Sequence, residues 1–322
     1  MWSYILRKLL YNIPVYLGIV LVVMAALRIN DPVWVYLGKT KGAADAQQRH
    51  DRMSHEMGLD RPFLVQYGTF LGQVATLNFG QTYSWDRQTE KVGDMLKRAV
   101  VPTLAITMPE VLLTTVIGIC IGLIAAYFRG RLADRGLMFL AVLGMSISYL
   151  VYVIFGQYFG AFVLNRHLGF EMFAIQGYEP GIRNWAHFCL LPVLIGVVVG
   201  VGFDARYYRA VMVEESTRDY ITTAVAKGAT RRKVMFAHML KNAMIPIVTR
   251  FMITLPFLIE GSIVLESYFN IPGMGKTMVE ALNHKDFPVI QAFTALFAAL
   301  FILSNILTDV LYALVDPRVR LS

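Results

Sequence analysis

The chain has 322 residues, 56% of them apolar and only 16% charged, with a net charge of +8. Soluble domains carry nearer a quarter charged residues, so this composition excludes an ordinary water-soluble fold and points to a bilayer. The basic excess is not accompanied by a platform of interleaved aromatic and basic residues, so a nucleic acid partner is not expected.

The apolar residues collect in runs at Leu9–Leu27, Thr103–Phe128, Leu137–Leu164, Phe188–Phe203, Ala243–Phe269 and Val289–Val315. Most reach the roughly 20 residues that cross a hydrocarbon core. The fourth is shorter and glycine-rich, with Gly196, Gly200 and Gly202. Lipid forces each backbone to satisfy its own hydrogen bonds, and the runs lack the alternation of a barrel. The expectation is an all-α integral membrane protein with six transmembrane helices.

In chain order, residues 1–28 hold the first helix. Arg7-Lys8 and the apolar run imitate a secretory signal, but the run is too long and no small-x-small cleavage site follows, so an uncleaved span is expected. Residues 29–98 form a long loop with a helix of its own. Asp60 is the expected cap, Pro62 suits the first turn, and Phe63, Tyr67, Phe70, Leu71, Val74 and Leu77 recur at helical spacing. Too polar to span, this helix should lie at the interface or pack on the spans. Residues 99–315 carry helices two to six and 316–322 a short tail. Cys120 and Cys189 both fall in apolar runs and read as small buried hydrophobes rather than a disulfide framework.

Basic residues orient the chain. With the N-terminus inside, the inner segments hold Arg7 and Lys8, then Arg129, Arg131 and Arg135. Residues 204–242 add Arg206, Arg209, Arg218, Lys227, Arg231, Arg232, Lys233 and Lys241, and the tail Arg318 and Arg320; together these are 15 of the 30 Lys and Arg. Ten more lie in the long segment from Arg28 to Arg98, which translocates with little regard to charge. Both termini are therefore expected inside.

The island at 204–246 is polar and basic between two long apolar runs. Ala224, Ala226 and Gly228 put small side chains on a short helix with a flexible residue at its end, where glycine permits the positive φ of a tight reversal. Ala224 is expected on the face that meets a partner. Thr230 is a reasonable N-cap for a second helix bearing Arg231, Arg232 and Lys233. Asp219, Tyr220, Thr223, Lys227, His238, Asn242 and Pro246 complete the pattern, a helix–turn–helix knob suited to transmitting motion.

That pattern resembles the "EAA" loop of type I ABC importer permeases, in the dipeptide/oligopeptide/nickel branch. Many members place Glu where this chain has Thr222. Further motifs resemble the same branch. They are Gly58-Leu-Asp-Arg-Pro62 and Asn78-Phe-Gly-Gln-Thr-Tyr83, then Glu266-Ser-Tyr-Phe-Asn-Ile-Pro-Gly-Met-Gly275, Asp286-Phe-Pro-Val289, and Asn305, Asp309, Tyr312 and Asp316-Pro-Arg318. The resemblance covers nearly the whole chain. It implies the type I importer fold in a bacterial inner membrane and a second permease in a heterodimer. It also implies two ATPase subunits, one of them docked on the 204–242 loop, and an extracytoplasmic solute-binding protein. The implied cargo is a short peptide, with nickel chelates and oligosaccharides the alternatives in that branch. An ion-coupled carrier or membrane enzyme is the rival class, and neither needs a basic docking knob.

Two apparent catalytic motifs fail. Gly273-Met-Gly-Lys-Thr277 imitates the end of a P-loop, but Asn270 stands where the first glycine belongs and no strand precedes it. Gly144-Met-Ser-Ile-Ser148 lacks the second glycine of a nucleophile elbow. The histidines show no metal spacing, so neither cofactor nor metal is expected. Ionisable residues inside spans are costly and mark solute paths. Glu110, Arg250, Glu260 and Asp309 are such residues, and Ser146, Tyr149, Tyr152 and Gln157 with Arg250 and Glu260 are candidates for a translocation path.

Overall fold

The structure is a computed structural model that describes residues 2–29, 31–37, 43–82, 90–254, 258 and 262–315. Glu260, Tyr83 and the 316–322 tail lie outside the described residues. Among those described there are helices and turns and no strand, only an isolated bridge between Gln81 and Lys91.

The first helix, α1, is Trp2–Leu27, and the loop after it holds three more: α2 Pro32–Leu37, α3 Ala43–Glu56 and α4 Phe63–Thr76. The amphipathic helix expected there is α4. Its N-cap position belongs to Pro62, and Asp60 instead bonds His55 at 2.8 Å. The helix lies on the spans: Phe70 is buried, and the Tyr67 hydroxyl donates to the Leu17 carbonyl of α1 at 2.9 Å. Leu77 ends α4 in the left-handed region at φ 55°.

The spine is α5, Val92–Tyr127, whose 36 residues make a rod about 54 Å long, well beyond the hydrocarbon core. Three buried clusters are strung along it. Val92, Leu96 and Ala99 meet α1, α4 and the last helix; Ile106 meets the middle of the molecule; Leu123 meets Tyr208, Met212, Ile221, Met239, Ala243 and Ile247. Leu112, Val116 and Ile124 on the same helix remain exposed, as does Cys120, which is therefore not the buried hydrophobe expected of it; Cys189 is buried. An apolar belt open to the surroundings is what lipid as solvent allows.

The third apolar run is not one straight span. It divides into α6, Leu132–Ser146, and α7, Tyr149–Gln157, which continues through a π-helical stretch, Tyr158–Val163, into α8, Leu164–Leu168. The two parts are bent by 91°. Ile147 and Ser148 between them are extended, at ψ 134° and 137°. The break frees carbonyls at the end of α6. One is taken by a side chain, since Tyr152 donates to Gly144 at 3.0 Å, while Ser146 bonds back to Val142 within α6 at 2.8 Å.

After the short α9, Ile182–Phe188, comes α10, Leu190–Glu215. The fourth run is thus the front of a longer helix that carries Asp204 and Arg209 along with it. The island contains α11, Asp219–Ala226, and α12, Arg231–Lys233, then a π-helical turn, Val234–Met239, leading into α13, Leu240–Thr254. The chain closes with α14, Ile263–Tyr268, α15, Met274–Asn283, and α16, Phe287–Val315. Among the described residues α1, α5, α10 and α16 are long and apolar enough to cross a membrane, and the bent pair makes a fifth if it is one span.

The most extensive helix contact is α5 with α10. Glycines set it. A Cβ on Gly118 would lie 2.9 Å from the Asp204 Cβ, and one on Gly122 would lie 2.8 Å from the Arg209 nitrogen. Reciprocally, a Cβ on Gly200 would lie 2.8 Å from the Thr114 methyl, and Gly196 sits under the Glu110 carboxyl. Each helix thus contributes a Gly-x-x-x-Gly pair. The pairing steps in the same direction along both chains, so the helices run parallel.

Candidate coupling loop and intramembrane cavity

The knob forms where the sequence placed it. Helix α11 ends in a Schellman turn: Gly228 N–H bonds the Val225 carbonyl at 2.9 Å and Ala229 N–H bonds Ala224 at 3.1 Å. Gly228 holds φ +80° with nothing within 4 Å of where a side chain would start. Thr230 caps α12 by accepting from the Lys233 N–H at 3.4 Å. Arg231 lies 4.2 Å above the Tyr127 ring and donates to the Tyr127 carbonyl, tying the knob to the end of α5.

One face of α11 is used internally. Ile221 and Ala224 are buried, whereas Thr222, Thr223, Val225, Ala226 and Lys227 are exposed. The expectation that Ala224 presents itself to a partner is therefore corrected: α11 packs against the π-helical turn at Val234–Met239, and the small side chain is needed for that fit. Tyr220 donates to Glu215, and burial together with that bond pushes its phenol up to about 12. Asp219 opens the helix, Arg232 is exposed and lines a surface hollow with Tyr127 and Phe236, and His238 sits in the π-helical turn. Asn242 donates to the His238 carbonyl at 3.0 Å, and the Pro246 carbonyl accepts from Tyr207 at 3.4 Å.

The candidate path residues are not brought together. Ser146 bonds its own helix; the Tyr149 hydroxyl meets Ser262 at 3.1 Å; Tyr152 serves the helix break; Gln157 donates to the carbonyls of Ile175 and Tyr268. Arg250 points elsewhere, to Asp204 on α10 at 3.5 Å, with its guanidinium 5.6 Å from the Tyr207 ring. Together with Glu110, Thr114, Tyr208 and Thr254 they wall a cavity of about 230 Å³ between α5, α10 and α13. Sequence reading missed Asp204 because it stands where the apolar run stops; the continuation of α10 as a helix is what makes it an interior residue. Asp309 on α16 is paired with Lys8 on α1, a link between the first and last helices.

The P-loop imitation has a structural explanation. Glu266 is 1% exposed and accepts from Thr103 Oγ1 at 2.7 Å and from the Lys276 N–H at 2.9 Å. Its carboxylate lies at the N-terminus of α15, against Gly273 and Gly275. The place an anionic ligand would take is thus filled by the protein's own carboxylate.

Comparison with known proteins shows the family of the chain. Residues 118–321 match the family described as the binding-protein-dependent transport system inner membrane component. The chain belongs to this family. It is a membrane permease, and its relatives cover it end to end. A probable peptide ABC transporter permease of Sinorhizobium fredii is 33% identical over 99% of this chain and 100% of its own length. A glutathione transport system permease of Salmonella typhimurium is 35% identical over 99% of each. A putative peptide permease of Brucella ovis is 32% identical over the full length of both. The matched segment begins at Gly118, the first of the close-approach glycines, and contains the knob and all of α10 to α16.

Proposed function

We propose that this permease is one membrane half of an ATP-driven importer of short peptides, with six spans in a bacterial inner membrane and both termini in the cytoplasm. The names of its relatives, peptide and glutathione permeases, support the substrate class. The observation that carries the reading is the knob: a helix closed by a Schellman turn, with a buried face toward its own spans and an exposed face free for a partner. One of two separate ATPase subunits would grip the exposed face, a second permease with its own knob would complete the pore, and a solute-binding protein would deliver cargo outside. Closure of the ATPases would pull the knobs, and the tie from Arg231 to Tyr127 would pass that motion to α5 and its partner α10, giving alternating access.

The test is reconstitution of the complete complex in liposomes. Dipeptide uptake should require both ATP and the solute-binding protein. Uptake driven by an ion gradient without ATP would overturn the reading in favour of a secondary carrier.

A further inference from the structure

We propose that the cavity between α5, α10 and α13 is the subsite that receives the ammonium end of the transported peptide, with Glu110 as its counter-charge. The assignment rests on the peptide reading above and adds which end of the solute the permease recognises.

Three charge-bearing side chains from three helices line the cavity. Glu110 comes from α5, Asp204 from α10 and Arg250 from α13. Among the described lining residues the one cation is already matched, since Arg250 lies 3.5 Å from Asp204, which also accepts from Tyr208 at 3.5 Å. Arg250 is thus a poor receptor for a solute carboxylate. Among the described residues, Glu110 has neither a hydrogen bond nor an ion pair, so it is the carboxyl of that wall without a counter-charge.

One helical turn from it, Thr114 is 8% exposed, and its Oγ1 finds no partner among the described residues. A carboxylate and a hydroxyl, adjacent on one helix face and both unsatisfied, are acceptors for the N–H groups of an ammonium. Gly196 and Gly200 face them across the helix contact, and their missing side chains leave the room that the Glu110 carboxyl and the Thr114 side chain occupy at the cavity wall. An unpaired carboxylate at this depth is costly. A cation that visits and leaves offsets that cost transiently, whereas a fixed partner would abolish the site. About 230 Å³ is below the roughly 300–1,000 Å³ of pockets that enclose a whole small molecule, so the cavity suits one end of a solute.

The test uses the whole transporter in liposomes. In a Cys120→Ser background, which leaves only the buried Cys189, Thr254→Cys places a thiol in the cavity wall. A cationic methanethiosulfonate should modify it faster than the anionic sulfonate reagent, and Glu110→Gln should lower that ratio about tenfold, the value of one charge-assisted contact. Gly196→Ala, which keeps the charge but crowds the carboxyl, should lower it less. In parallel, uptake of a free dipeptide is compared with its N-acetyl form. The solute-binding protein is the same for both permeases, so a fall in the free-to-acetylated ratio with Glu110→Gln belongs to the permease. Equal reactivity of the two reagents overturns the cation site, and does so even where Glu110→Gln fails to assemble, because Thr254→Cys alone reads it. A cation preference with an unchanged peptide ratio overturns the ammonium assignment. Absence of uptake of any peptide by the unmodified complex overturns the substrate reading and this assignment with it.

Discussion

Asp134 and Arg209 are joined by two parallel hydrogen bonds, 2.5 Å from Nε to Oδ1 and 2.7 Å from Nη2 to Oδ2. The same carboxylate accepts from the Gly130 N–H at 2.9 Å, so one side chain closes the turn before α6 and clamps α6 to α10. The Arg209 backbone meanwhile lies directly over Gly122 of α5. Three helices are therefore fastened at one level, just ahead of the knob.

Removing that carboxylate should loosen the junction. Asp134→Ala strands Arg209, but the guanidinium retains some access to water. The cost should be about 2 kcal/mol, below the roughly 3–5 kcal/mol for breaking a fully buried pair. Thermal unfolding of the purified complex checks it. An unchanged midpoint would mean the pair is a surface contact.

The glycine contact between α5 and α10 should tolerate no side chain at its tightest point. Gly122→Ala puts a methyl 2.8 Å from a backbone nitrogen that cannot rotate away. Overpacking of this kind costs about 1–3 kcal/mol. Gly130→Ala tests a different cost, because nothing lies within 4 Å there and only its positive φ resists substitution. Unfolding midpoints of the two variants separate steric from conformational strain.

At Gly228 the penalty is conformational alone, since its surroundings are open. Gly228→Val should cost roughly 1–2 kcal/mol and deform the knob, while Gly228→Asn, which enters the left-handed region more readily, should cost less. The measurement is ATP hydrolysis and uptake side by side in reconstituted complex. Valine should lower uptake per ATP hydrolysed and asparagine should largely preserve it. Equal behaviour of both would show that the turn is a passive connector.

The outer loop contains a pH-dependent clip. His50 bonds Asp31 at 2.7 Å and Asp51 at 3.2 Å, and it stacks on Trp34. The bond to Asp31, seconded by Asp51 and opposed by burial, holds the imidazole above its ordinary range. A raised folded value means the protonated pair stabilises the loop fully below the ordinary histidine value. That contribution is lost as pH rises through the folded one. Hydrogen exchange in α2 and α3 should therefore quicken as pH rises through that window, beyond the intrinsic increase, and Asp31→Asn should remove the excess.

Orientation has its own check. A cysteine at Gln47 should be labelled from outside intact cells and one at Thr230 only after permeabilisation. The reverse pattern would put the knob in the wrong compartment.

What the amino-acid order determined by itself was what a bilayer reads one residue at a time: the apolar runs, the surplus of Arg and Lys between them, and the turn at Gly228. These depend on solvation and local backbone freedom, so α1, α5, α10, α16 and the Schellman knob were legible. Only the tertiary structure decided which face of each helix meets which neighbour. Ala224 turned inward because the π-helical turn packs on α11. The third run breaks at Ile147, where Tyr152 folds back to satisfy the Gly144 carbonyl that the break exposes. Asp204 found Arg250 because α13 packs on α10, and Glu110 lies against Gly196 because glycines on α5 and α10 lock two distant segments in one register. Hydropathy carries no record of that register, since it lies in the small size of four side chains and in the close approach they permit.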